Sequence, residues 1–133
     1  MQTALAIAIV GAVALAAIVH WRKRRGVARY VQGREPLSDS EFAALFASVT
    51  QGQVGLGIRQ LLKGWVPVDV SLIRPDDEFS GDLLLDALDG LDPEEFLRTV
   101  EAKWSVNIPG SVAAELRTVR QLSAEVVRRM DEK

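Results

Sequence analysis

Residues 92–109 read DPEEFLRTVEAKWSVNIP, and they begin and end as one amphipathic helix does. Asp92 is a capping residue, Pro93 fits the first helical position where no N–H is needed, and Glu95 completes a capping box. Phe96, Leu97, Val100 and Trp104 then recur at helical spacing as an inner face, until Ser105–Pro109 stops the helix. Downstream, Ser111–Leu116 has room for a short helical turn. Thr118 with Gln121 is a second capping box, opening a helix whose stripe is Leu122, Val126 and Met130. Upstream, Trp65–Asp86 is a long connection in which Val66, Val68 and Val70 alternate, but Pro67 interrupts them and argues against a strand. Before it, Val54, Ile58, Leu61 and Leu62 stripe a helix from about Gln53 to Lys63 that stops at Gly64. Gly55 and Gly57 weaken its first turn by about 1 kcal/mol each relative to Ala. Ser38 and Glu41 form a third capping box with Leu37 and Phe42 as its staple, and the helix over 37–52 would bury Phe42, Leu45, Phe46 and Val49. Several helices without paired strands predict an all-α, small helical bundle.

Composition narrows the chemistry. The chain has 133 residues and no Cys, which excludes a disulfide framework, a thiolate metal site and Cys nucleophiles. A single histidine, His20, leaves no His pair for zinc and argues against a Ser-His-Asp relay. The formal net charge of −2 hides an asymmetry. Residues 22–34 hold Arg22, Lys23, Arg24, Arg25, Arg29 and Arg34 with no acid, whereas all 18 acids lie further along the chain.

The basic cluster follows an apolar segment. Ala4–Val19 is uninterrupted by any charged or strongly polar residue, and residues 1–21 as a helix would rise roughly 31 Å, the thickness of a bilayer's hydrocarbon core. Its eight strongly apolar residues favour insertion by about 2–5 kcal/mol. Ala14-Leu15-Ala16 resembles a cleavage site, but signal peptides carry their positive charge before the apolar run, and here Arg22-Lys23-Arg24-Arg25 comes after it. The expectation is a retained single-pass anchor over 1–21 with the C-terminal part in the cytoplasm. Residues 22–36 then form a basic juxtamembrane linker, because 26–36, GVARYVQGREP, has two Gly, a Pro and no helical period. The cluster reads first as a topology signal and second as a lipid contact. Nucleic acid is not expected, since the cluster abuts the membrane and the rest is acidic. Ala4, Ala8, Ala12 and Ala16 form a small-residue stripe that leaves the oligomeric state open.

Residues 53–131 resemble an acyl carrier protein in the order of several spaced elements. These are Leu61-Leu62-Lys63-Gly64 at a helix end; Ile73-Arg74-Pro75-Asp76-Asp77-Glu78-Phe79 and Asp82-Leu83 in a long first loop; Asp89-Gly90-Leu91-Asp92 at a helix start; and Thr118-Val119 before a last amphipathic helix. Lys103-Trp104-Ser105-Val106-Asn107-Ile108-Pro109 stands where the family typically shows Glu-Phe-Gly-Ile-x-Ile-Pro. The resemblance implies a carrier-type bundle, with 37–52 as an accessory helix before it.

One departure matters most. Such carriers have Asp-Ser-Leu at the start of the second helix, and that serine bears the phosphopantetheine arm. Here the position falls on Gly90, between Asp89 and Leu91-Asp92, or after a one-turn slip on Ala87. Neither residue has an oxygen nucleophile, so no phosphopantetheine is expected. The nearest upstream hydroxyl is Ser80.

Residues 76–101 carry ten acids against Arg98 alone. The resemblance implies that Asp86, Asp89, Glu94, Glu95 and Glu101 form an acidic face for a protein partner with a basic patch, which would speed association. A simpler role for Glu94 and Glu95 is to favour the positive helix N-terminus. An EF-hand register around Gly90 puts Leu85, Ala87 and Phe96 where carboxylates are required, so no metal site is expected. No nucleophile, base and oxyanion set can be named, so the chain is not expected to be an enzyme. The expectation is a membrane-anchored, carrier-like binding module without a prosthetic group. Its alternatives are a working carrier for lipid or polyketide assembly modified at another serine, and a purely structural small membrane protein.

Overall fold

A computed structural model describes residues 2–80, 83 and 93–132 of the chain, with side chains from residue 10 onward except at 16, 19, 20 and 22–24. Among the described residues the chain is all-α, as the capping boxes and stripes predict. In order come α1 (Gln2–Val31), α2 (Asp39–Ala43), α3 (Val49–Leu62), a 3-10 turn at Val70–Leu72, α4 (Pro93–Trp104), α5 (Gly110–Ala113) and α6 (Val119–Asp131).

The core lies between α3 and α6, the most extensively packed pair, with α4 laid against α3. Ile58 and Leu62 of α3, Val100 of α4, and Val119 and Val126 of α6 are fully buried together with Ile73 and Leu83 of the long connection. That connection is tied down by backbone pairing to the start of α6. Phe79 N–H donates to Arg117 C=O at 2.8 Å and Arg120 N–H to Pro75 C=O at 2.9 Å. The irregular segment thereby satisfies its polar groups while burying Phe79 and Ile73.

Local signals set the helix starts. Ser38 Oγ accepts from Glu41 N–H while Glu41 returns the bond to Ser38 N–H, a complete capping box. Thr118 Oγ1 accepts from Gln121 N–H at 3.1 Å, but Gln121 Oε1 accepts from Arg117 N–H rather than from the cap itself. Pro93 occupies the first position of α4. α4 ends at Trp104 through a left-handed Ser105 at φ 53°, with Val106 N–H reaching back to Glu101 C=O at 3.1 Å. This is a helix stop that normally uses glycine.

Two expected boundaries move. The first concerns residues 37–52, expected as one accessory helix. α2 has only five residues, and a second cap at Ser48, whose Oγ accepts from Gln51 N–H at 3.1 Å, starts α3 well before Gln53. Ser48-x-x-Gln51 is itself a capping signature, hidden inside the longer helix predicted there. The shift rotates the expected stripe, so Phe42 and Phe46 are buried while Leu45 is 46% and Val49 83% exposed. It also places Gly52 and Gly55 inside α3 rather than at its edge. A Cβ on Gly52 would come within 2.6 Å of Ala43 O, and one on Gly55 would enter the Phe46 ring. Residues 37–46 are thus packed on α3, not a separate arm. Arg59, 4% exposed, holds them by donating to Leu37 C=O at 3.0 Å and Asp39 Oδ1 at 2.7 Å, with its guanidinium 4.6 Å from the Phe42 ring centroid.

The second moved boundary is the linker. Residues 22–31 are helical and continue the apolar segment as one 30-residue helix, roughly 45 Å long. Gly26 costs about 1 kcal/mol in such a helix. Burial of Tyr30 and partial burial of Val27 against the core offset it. The turn after Val31 is completed at Gly33, φ +72°, with Arg34 N–H donating to Val31 C=O at 3.2 Å.

Candidate functional site

The residues expected to form an acidic face fall into three groups. Asp86, Asp89, Gly90, Leu91 and Asp92 lie outside the described residues. Glu94 and Glu95 are exposed on the first turn of α4, where their charge meets the positive end of the helix. Glu94 lies 3.8 Å from Arg98 one turn on, an exposed pair of small energetic weight. Glu101 is different. It is half-buried, and its Oε2 accepts from Ile108 N–H at 2.9 Å. That carboxylate closes the turn between α4 and α5, so part of its role is structural.

Beside the first turn of α4 lies a cleft of about 800 Å³ between the 78–80 segment, α4, α5 and the start of α6. Its walls are apolar, from Phe79, Phe96, Leu97, Ala113, Leu116 and Leu122. Phe96 packs there between two rings, edge-on to Trp65 at a centroid distance of 5.8 Å and tilted against Phe79 at 6.0 Å. The polar rim mixes signs, with Glu78, Glu94 and Glu101 against Arg98 and Arg117. Ser80 also lines it. Such a concavity suits an amphipathic partner with an apolar part and a polar end.

A second constellation joins α1 to the bundle. Asp77, only 6% exposed, accepts four hydrogen bonds. They come from the Tyr30 hydroxyl at 2.6 Å, Arg34 Nη1 at 2.8 Å, Arg34 Nη2 at 2.9 Å and the Arg74 backbone N–H at 2.8 Å. Arg34 also lies over the Tyr30 ring, 3.9 Å from its centroid. Arg74 extends the joint by donating to Glu35 C=O at 2.7 Å and Leu72 C=O at 3.1 Å. Burial, the bond to Asp77 and the nearby negative charge push the Tyr30 phenol well above its usual range. Sequence reasoning missed this joint entirely. Tyr30 and Asp77 are 47 residues apart, and nothing in an acidic loop marks which acid is buried.

Of the expected membrane-flanking residues, positions 22–25 all lie within α1. Arg25 is exposed, with its guanidinium 5.1 Å from the Trp21 ring centroid. Val10, Val13, Leu15, Ile18 and Trp21 are about half exposed or more. Among the described residues no helix is long and apolar enough to cross a membrane. No group of His, Cys, Asp and Glu suited to a metal is found among the described residues. No protein-family model matches the chain, and neither the characterised proteins nor the solved structures contain a significant match to it.

Proposed function

We propose that the chain is an acyl-carrier-like binding module without a prosthetic group, anchored by residues 1–21 with its bundle on the cytoplasmic side. In this reading it recruits a protein partner that presents a basic patch. The observation that carries the proposal is the exposed acidic first turn of α4, Glu94 and Glu95, of which Glu94 lines an apolar-walled cleft. Acids there steer a basic partner, and the cleft offers it apolar contact once docked.

The carrier resemblance is supported by the order helix, long tied-down connection, helix, short helix, helix from α3 to α6. A second support is Ser105. It stands at the family's glycine position and adopts the left-handed conformation that glycine favours. The anchor is supported by the continuity of α1 through the apolar segment and by the exposure of its described apolar side chains.

Two measurements test the reading. Incubation of the detergent-solubilised chain with a phosphopantetheinyl transferase and coenzyme A leaves its intact mass unchanged; gain of one arm on any serine refutes the non-carrier reading. Affinity capture from solubilised membranes is then compared between the native chain and Glu94→Lys/Glu95→Lys. The native chain retains a specific partner and the variant loses it, with the loss steepest at low ionic strength. Equal capture by both refutes the acidic docking face.

A further inference from the structure

We infer that one face of α1, carrying Arg25 and Arg29 in register with position 22, binds the phosphates of anionic phospholipids. This rests on the membrane-anchored reading above and goes beyond it, because a topology signal needs only positive charge, whereas α1 gives that charge a geometry.

At about 100° per residue, positions 22, 25 and 29 fall within roughly 60° of one another. Val27 and Tyr30 lie on the other side and are packed against the core. The Asp77 joint fixes that side to the bundle, so Arg25 and Arg29 stay exposed and turned away from it. Neither has a carboxylate partner among the described residues, and the chain holds no acid before Glu35. Trp21, 57% exposed, stands one turn before Arg25, and an indole beside a guanidinium is suited to the headgroup layer. From Arg25 to Arg29 the helix rises about 6 Å. The polar layer on each side of a bilayer is about 5–8 Å deep, so a tilted helix keeps both guanidinium groups at phosphate level. Lipid is favoured over nucleic acid as the anion because the stripe begins where the apolar segment ends and the bundle beyond it is acidic.

The test uses the full chain in nanodiscs with equal amounts of phosphatidylglycerol and phosphatidylcholine, followed by native mass spectrometry of the lipids it retains. The native chain is expected to enrich phosphatidylglycerol. Arg25→Gln/Arg29→Gln should lower that enrichment by an order of magnitude or more, at about fivefold per arginine near the surface, while the Lys/Lys variant keeps most of it. An unchanged lipid ratio in the Gln/Gln variant overturns the inference. So does displacement of phosphatidylglycerol by a duplex oligonucleotide at equal phosphate concentration. Alkaline carbonate extraction reports on the anchor alone. A chain released by it refutes the anchor, whereas a retained chain with no lipid preference refutes only the arginine face.

Discussion

Replacing Asp77 with asparagine should loosen α1 from the bundle and cost about 3 kcal/mol of stability. The native carboxylate faces four donors, two of them from Arg34, and is 6% exposed. An amide of the same size removes the charge and turns one acceptor into a donor, so at least one of the four meets no partner. Removing one member of a buried ion pair costs about 3–5 kcal/mol. The Arg34 side chain keeps 25% of its surface in water, which lets it rehydrate in part and places the loss at the lower end. For a folded unit of about 60–100 residues, each kcal/mol moves the melting temperature by about 4–8 °C, so the fall is roughly 12–24 °C. The neighbouring Asp76→Asn is the control. Asp76 pairs with Arg120 at 2.7 Å, but its side chain is 72% exposed, so its loss should stay within about 1 kcal/mol. Thermal and urea unfolding in mild detergent, followed by far-UV circular dichroism, measures both. If Asp77→Asn melts no lower than Asp76→Asn, the joint does not hold the helix and the reasoning fails.

The same joint has an alkaline signature. Tyr30 is the only tyrosine, and its phenol is raised above the ordinary value of 10.0 by burial first and by Asp77 next. The unfolded chain therefore releases this proton before the folded one does. The contribution is whole below about pH 10 and is lost as pH rises beyond it. Absorbance at 295 nm should show phenolate only as the helical signal collapses; an ordinary titration in the folded protein would contradict the burial. Ser105→Gly should stabilise by about 1 kcal/mol in a urea titration, since it removes the left-handed strain at φ 53° against a smaller entropic cost. Gly55→Ala should destabilise by up to about 2 kcal/mol, because the new methyl enters the Phe46 ring at a cost of about 1–3 kcal/mol against the roughly 1 kcal/mol gained in helix propensity. A stabilised Gly55→Ala protein would mean that Phe46 is free to move aside.

What was legible in the sequence was local. The capping box at Ser38, the proline of α4 and the Thr118 cap act over three residues, so type and spacing suffice. The stripe of α4 is readable for the same reason. What misled was residue type without packing. Leu45 and Val49 look like core but face water, because a corner at 44–48, closed by the Ser48 cap hidden inside the apolar stripe, breaks the helix expected over them. Gly55 looks like a weakness in α3 and is instead the space that Phe46 occupies. The candidate site was half legible. The exposed acids at the start of α4 followed from composition, whereas the bond that engages Glu101 spans seven residues, and the apolar cleft is assembled from four separate segments.

Residues 22–36 carry the largest functional consequence of that difference. Read by composition they are a flexible tether, which would let the bundle turn freely and leave its acidic face without a fixed direction. As a helix that runs on to Val31, closed onto Asp77 by Tyr30 and, just past the turn at Gly33, by Arg34, they transmit the direction of α1 to the bundle. Under the anchored reading, the first turn of α4 and the arginine face then keep one angular relation to the bilayer, and a partner approaching along the membrane meets Glu94 and Glu95 in one orientation. A partner-binding defect in Asp77→Asn, with the α4 acids untouched and the bundle still folded, is what this coupling requires.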